Sequence, residues 1–176
     1  MGSTFTAIFQ NQGSDLGLAC KKLTEIMLDT SNAQEVWKWA YNKKDTHSPE
    51  CMSISGQLEF LNVHGFDIEL GEHFFIFDIM IGWHTLLEDE RLQNRLRKDL
   101  SRFGKRFGPA IYLPSDCKVD PLYNMRMERT WEETVNELNQ KIGSPQKTLK
   151  ELLACMEGRG ERCGYYVELF SYEVMS

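Results

Sequence analysis

The clearest pattern of apolar and polar positions in the chain runs over residues 66–81. Apolar residues alternate with acidic ones over residues 66–70, which is the period of a strand with one buried face. Residues 74–81 are almost continuously apolar. Gly71 and Glu72 lie between the two runs, and a glycine at the first central position favours a two-residue type II′ turn. The pattern therefore predicts an antiparallel β-hairpin.

A two-residue turn fixes the register of this hairpin. It pairs Leu70 with His73 and Ile68 with Phe75. One face of the hairpin then becomes wholly apolar, and we expect it to form the core of the protein. The residues of this face are Phe66, Ile68, Leu70, Phe75, Phe77, Ile79 and Ile81.

The opposite face of the hairpin has a mixed composition. It carries Asp67, Glu69, Phe74, Ile76, Asp78 and Met80. This set is too apolar for an ordinary solvated face and too acidic for an ordinary core. Two interpretations remain: a second helix layer or a loop covers part of it and leaves the carboxylates at the rim, or the face binds a partner or ligand.

The strongest helical pattern follows the hairpin directly. Its predicted buried row consists of Leu92, Leu96, Leu100 and Phe103. Thr85 and Glu88 have the spacing of a capping box, so the sequence predicts one long central helix that begins near His84. A second capping box, Thr130 with Glu133, opens a later helix.

The remaining pattern completes the predicted architecture. Further helices are expected over residues 15–29, 33–41 and 145–157, and strands over residues 4–9, 57–63, 110–113 and 165–172. Both faces of the last strand are apolar, which is typical of an interior strand. The sequence therefore predicts an α+β fold, with an antiparallel sheet of about five strands and four to five helices packed mainly on one face. We expect residues 1–176 to form a single globular domain.

Charge and composition narrow the classes of function. The formal net charge is −6 and the pI is about 5.3, whereas binding nucleic acid requires concentrated Lys and Arg. A basic protein is the more natural partner, and a nucleic acid is not expected. The chain has no apolar run of about 18 residues, and its N-terminus lacks a signal-peptide pattern. A soluble, cytoplasmic protein without a membrane anchor is therefore predicted.

The sequence contains no recognisable catalytic motif. The five cysteines are scattered and form no C-x-x-C pair, so reduced thiols are expected, with no metal ion and no cofactor. An active site would have to be assembled from separate groups, of which the best are Cys51, His64, Asp67, Glu69, His73 and His84. The predicted hairpin places His64 and His73 at opposite ends of a strand, which separates them.

The long connection over residues 114–129 offers Asp116, Asp120 and Tyr123, and loops of this length are often functional. The resulting hypothesis is an acidic protein-binding module, of the inhibitor or immunity-protein type, that neutralises a basic partner. Its candidate contact residues are Asp67, Glu69, Phe74, Asp78, Asp116, Asp120 and Tyr123. Two alternatives stay open: a small enzyme with a site of His, Asp and Cys, and an oligomeric structural protein that uses the mixed hairpin face as its interface.

Overall fold

The computed structural model describes residues 2–12, 15–30, 40–41, 52–57, 65–160 and 164–170. Its strands are β1 (Thr4–Gln10), β2 (Ala40–Tyr41), β3 (Met52–Gln57), β4 (Gly65–Leu70), β5 (Phe74–Gly82), β6 (Ala110–Pro114) and β7 (Tyr166–Glu168). They form one antiparallel sheet in the order β2-β3-β4-β5-β1-β6-β7. Because β2 and β7 are only two and three residues long, the sheet has five longer strands flanked by two short edges.

Six helices accompany the sheet in the described part of the chain. They are α1 (Leu16–Thr30), α2 (Trp83–Glu88), α3 (Glu90–Phe107), α4 (Pro121–Arg126), α5 (Trp131–Lys141) and α6 (Leu149–Arg159). The prediction of an α+β fold with an antiparallel sheet is therefore confirmed. Across the described residues, no helix has both the length and the apolar character that a bilayer crossing needs.

The main core lies between one sheet face and the helices α1, α2, α3 and α6. Leu23, Leu86, Leu100 and Leu152 from these four helices meet the sheet in a single apolar cluster. All seven hairpin residues predicted for the core belong to this cluster, and none is more than 4% exposed. Removing each large side chain from water contributes about 1.5–3 kcal/mol, so this face dominates the stability of the sheet.

The register of the hairpin differs from the predicted one by two residues. Leu70 lies opposite Phe75 rather than His73. Gly71 therefore lies opposite Phe74, and its N–H donates a hydrogen bond of 3.0 Å to the Phe74 carbonyl oxygen. The turn is centred on Glu72 and His73 rather than on Gly71 and Glu72. Since side chains alternate with a period of two, a shift of two residues keeps every side chain on its predicted face. The faces were therefore predicted correctly although the pairing was wrong.

The predicted single central helix is in fact two helices, α2 and α3. Asp89 lies between them in an extended conformation, and its carboxylate accepts a hydrogen bond of 3.0 Å from the backbone N–H of Leu92. Asp89 is thus the N-cap of α3, and the predicted capping box of Thr85 with Glu88 was wrong. The helix α2 begins after Gly82, which provides no side-chain cap.

A second apolar cluster covers part of the opposite sheet face. The strands contribute Ile8, Phe74, Ile76, Ile111 and Leu113 to it, and α4 and α5 contribute Met125 and Leu138. The predicted capping box of Thr130 with Glu133 opens α5, with both of its reciprocal hydrogen bonds present. The predicted long loop contains α4 and brings it onto the sheet. Four helices therefore lie on the first face and two on the second.

Three other predicted elements differ from the structure or lie mostly outside its described residues. The strand predicted over residues 165–172 is described only as β7, and it forms an edge of the sheet rather than an interior strand. Its apolar character on both sides has a local cause, since Tyr166 packs against Tyr112 while the Tyr165 hydroxyl donates to Asn139. The helix predicted over residues 33–41 lies mostly outside the described residues, and its last two residues form β2. Of the strand predicted over residues 57–63, only its first residue is described, as the end of β3.

Candidate functional site

Three carboxylates share the part of the second sheet face that lies beyond the apolar cluster. Asp67 on β4 lies directly opposite Asp78 on β5 in the strand pairing. Glu69 is two residues further along β4, so its side chain points to the same side as that of Asp67. Asp67 is exposed, whereas Glu69 and Asp78 are half-buried. We call these three residues the acidic sheet face.

Asp78 is held by the neighbouring strand. Thr6 on β1 pairs with Asp78, and its hydroxyl donates a hydrogen bond of 2.5 Å to the Asp78 carboxylate. Burial raises the pKa of Asp78, the hydrogen bond from Thr6 lowers it, and the charge of Asp67 raises it again. The pKa of Asp78 is raised overall. Burial and like charge therefore outweigh the single hydrogen bond that favours the ionised form.

Glu69 connects the acidic sheet face with α4. Its pKa is raised, first by burial and next by the charge of Asp78, with Asp67 and Asp120 adding to the effect. Arg126, at the end of α4, acts in the opposite direction and lowers it. The electrostatic field at Glu69 thus comes from two strands and from α4 and its N-cap, within the long connection.

No lysine or arginine within the described ranges forms an ion pair with Asp67, Glu69 or Asp78. The ion pairs of Arg97, Arg106 and Arg129 lie elsewhere, with Glu168, Glu25 and Glu137 respectively. Like charges directly opposite each other on neighbouring strands are destabilising. The acidic sheet face is therefore a cluster of repelling, partly desolvated carboxylates, and its arrangement favours a cation brought from outside.

Two residues predicted from the long connection lie at α4, beside this face. Asp120 is the N-cap of α4, and its carboxylate accepts hydrogen bonds from the backbone N–H groups of Leu122 and Tyr123. Tyr123 is 51% exposed, and the guanidinium of Arg129 lies 5.7 Å from the centre of its ring. The structure thus brings Asp120 into the electrostatic surroundings of Glu69 and leaves Tyr123 open to solvent.

The other two predicted contact residues are placed differently. The carboxylate of Asp116 accepts a hydrogen bond from the hydroxyl of Ser3, just after the end of β6. Phe74 is only 1% exposed, because it belongs to the apolar cluster together with Met125 of α4. A partner on the surface does not reach Phe74 in this conformation, so its contribution is to support the sheet.

The scattered groups considered for catalysis are not gathered where the structure describes them. Cys51 and His64 lie outside the described residues. His73 is half-buried in the hairpin loop, where its carbonyl oxygen accepts a hydrogen bond of 2.9 Å from the Asn11 N–H. His84 is on α2, whose buried side chains pack on the first sheet face, whereas Asp67 and Glu69 point to the second.

A polar groove of about 540 Å³ runs along α5, and its charged groups are already compensated. Glu137 receives hydrogen bonds from Lys141, Asn124 and Arg129. Burial raises the pKa of Glu137, but these hydrogen bonds and the two positive charges outweigh it and lower the pKa overall. Arg129 and Lys141 form ion pairs with Glu137, and the Glu133 carboxylate accepts a hydrogen bond from the Thr130 N–H, so each charged group that lines the groove has a partner.

One contributor to the acidic sheet face was missed in the sequence, namely Thr6. The signal for its orientation is present, because Phe5 and Ala7 on either side of it are apolar. What the sequence does not reveal is that β1 inserts between β5 and β6 and so places Thr6 opposite Asp78. No protein-family model, curated protein or solved structure matches this chain.

Proposed function

We propose that the protein binds a basic protein partner through the acidic sheet face and thereby neutralises it. The observation that carries this proposal is the absence, among the described residues, of any cation paired with Asp67, Glu69 or Asp78. Two of these carboxylates are half-buried, and burial raises the pKa of each. A lysine or arginine from a partner would compensate these charges in a partly desolvated setting, where charge-assisted hydrogen bonds are strong.

The groups around the carboxylates favour a protein over a small cation. Met80 lies on the same side of β5 as Asp78 and is 64% exposed. Tyr123 on α4 and Met127 at the C-cap of α4 are also exposed, the latter by 56%. Methionine and tyrosine beside charged groups are typical of protein interfaces, where apolar contacts supply affinity and charges supply orientation.

The overall charge acts in the same direction. A net charge of −6 attracts a basic partner over a distance of about one Debye length, which raises the rate of association. Binding of this kind is sensitive to salt, because the Debye length falls from about 10 Å at 0.1 M to about 3 Å at 1 M. The proposal therefore predicts fast association at low salt and a marked loss of binding at high salt.

The test compares three forms of the protein as baits in extract of its native cells, with mass spectrometry of the captured proteins. The wild type is compared with Asp67→Lys/Glu69→Lys and with the control Glu72→Lys/Glu132→Lys. Both variants change the net charge by the same amount, but the control residues are exposed and lie outside the acidic sheet face. We expect the wild type and the control to retain the same basic protein at 0.1 M salt.

The charge-reversed variant should lose this protein, and 1 M salt should release it from the wild type. Far-UV circular dichroism of the three forms establishes that each is folded. Retention of the partner by the folded Asp67→Lys/Glu69→Lys variant would exclude the acidic sheet face as the binding site. Equal loss from both variants would show that net charge alone, and not this face, determines binding.

A further inference from the structure

Three metal-ligating side chains meet where α2 packs beside α6. His84 and Glu88 are four residues apart on α2, and the His84 Nε2 atom lies 3.3 Å from a carboxylate oxygen of Glu88. Glu157 on α6 joins them, and one ligand atom from each of the three residues lies within 4.8 Å of the others. All three side chains are exposed. We call these residues the α2–α6 cluster.

We propose that the α2–α6 cluster binds a divalent metal ion of the first transition row. The ion that it binds in ordinary conditions is Zn²⁺. Zinc bonds to imidazole nitrogen and carboxylate oxygen are about 2.0–2.2 Å long, so tetrahedral ligands lie about 3.4 Å apart. His84 and Glu88 already have this separation. Glu157 reaches it by rotation of an exposed side chain, and water supplies the fourth ligand.

The donor set discriminates between metals. One imidazole nitrogen with two carboxylates suits zinc and its neighbours in the first transition row. Magnesium and calcium prefer oxygen ligands alone and gain little from His84. Among the described cysteines, Cys20, Cys117 and Cys155, none belongs to the cluster.

The helices that carry the three ligand residues are packed firmly against the main core. Trp83, Leu86 and Leu87 of α2 are buried in the main core. The side-chain amide of Gln93 also donates hydrogen bonds of 2.9 Å to the carbonyl oxygens of Leu86 and Leu87, which fixes the last turn of α2.

On the other helix, Leu152 and Met156 pack into the same core. A metal ion at the cluster would therefore join two segments that are far apart in the chain. It would also reduce the motion of α6 relative to α2. This site is independent of the proposed partner surface, which lies on the other sheet face.

The test is a titration of the chelator-treated, full-length protein with ZnCl₂ under reducing conditions, followed by calorimetry. We expect one zinc ion per chain in the wild type. The affinity for zinc should fall at least about tenfold in His84→Ala and in Glu157→Gln, since each variant removes a ligand. The control variant His73→Ala should bind zinc as tightly as the wild type, because His73 lies in the hairpin loop outside the cluster. At a hundredfold excess over Kd, zinc should raise the Tm of the wild type by about 5 °C or more.

A second readout uses CoCl₂ as a spectroscopic probe. Nitrogen and oxygen ligands give weak visible bands, whereas thiolate ligands give an intense near-ultraviolet charge-transfer band. The weak bands alone, lost in His84→Ala, are the expected result. A thiolate band, unchanged zinc affinity in His84→Ala, or equal stabilisation by MgCl₂ would each overturn the proposal.

Discussion

At the scale of single residues, Asp78 is a carboxylate whose ionised form is disfavoured by its surroundings in the sheet. Its pKa is raised because burial and the charge of Asp67 outweigh the hydrogen bond from Thr6. A carboxyl group whose pKa is higher in the folded state binds its proton more tightly there than in the unfolded chain. The free energy of unfolding therefore falls as the pH rises through the pKa of the folded state. Ionised Asp78 lowers the stability of the protein at neutral pH.

Replacing Asp78 by asparagine tests this account. The variant Asp78→Asn keeps an amide oxygen that can accept from Thr6, and it removes the charge opposite Asp67. We expect the free energy of unfolding to rise by about 0.2–1 kcal/mol at pH 7.5, the range for cross-strand charge pairs. The gain should shrink as the pH falls toward the ordinary aspartate pKa of about 3.9, because the wild-type carboxyl group then becomes neutral as well.

Urea denaturation at a series of pH values measures this difference. Glu72→Gln is the control, since Glu72 is exposed in the hairpin turn and lies outside the acidic sheet face. Its effect on stability should stay near zero over the same pH range. A loss of stability in Asp78→Asn at pH 7.5 would mean that the hydrogen bond between ionised Asp78 and Thr6 outweighs burial and repulsion.

At the scale of elements, local periodicity predicted which side chains share a face but not how the elements join. The alternation over residues 66–70 located both the core residues and the carboxylates, because side-chain direction depends only on position along a strand. The turn of the hairpin was placed one residue too early, which shifted the strand pairing by two residues, because a glycine fits several turn types. The break at Asp89 was missed because the apolar pattern continues from α2 into α3.

The contacts between distant elements could not be predicted from the sequence, for a different reason. Phe74 was named as a candidate contact residue, but α4 covers this part of the sheet, and the position of α4 depends on packing rather than on local sequence. The spacing of His84 and Glu88 is visible in the sequence as one turn of a helix. Glu157 joins them only because α6 packs beside α2, which no local pattern encodes.

Two helical glycines provide a prediction at this scale. A Cβ atom added at Gly104 of α3 would lie 1.9 Å from a ring carbon of Phe170, whereas one added at Gly158 of α6 would meet nothing within 4 Å. Replacing glycine by alanine in a helix gains about 0.5–1 kcal/mol. Overpacking costs about 1–3 kcal/mol. We therefore expect Gly104→Ala to lower the free energy of unfolding and Gly158→Ala to raise it by up to about 1 kcal/mol.

Thermal and urea unfolding of the two alanine variants distinguish packing from propensity. The double variant Gly104→Ala/Phe170→Ala relieves the contact, so the further cost of Gly104→Ala should be smaller in that background than in the wild type. Stabilisation by Gly104→Ala in the wild-type background would show that Phe170 does not pack against α3 in solution.

At the scale of the whole molecule, one sheet supports both apolar clusters. Phe9 of β1 belongs to the cluster under α1, α2, α3 and α6, whereas its neighbour Ile8 belongs to the cluster under α4 and α5. The strands β5 and β6 alternate in the same way. Neither cluster can persist once these strands separate, so we expect the two helix layers to unfold together in a single transition.

Two leucine variants, one on each side of the sheet, test this cooperativity. Leu96 of α3 and Leu138 of α5 are buried in different clusters, and truncation of either to alanine should cost about 2–5 kcal/mol. Because the sheet separates them and they share no cluster, the costs should add to within about 0.5 kcal/mol in the double variant. Lys98→Ala, on the exposed side of α3, should change the free energy of unfolding by less than about 0.5 kcal/mol.

Urea titrations followed by tryptophan fluorescence and by far-UV circular dichroism should give coincident midpoints in every variant. If Leu138→Ala instead separates the transition into two steps while Leu96→Ala does not, then α4 and α5 fold as a layer of their own and the single-domain expectation fails.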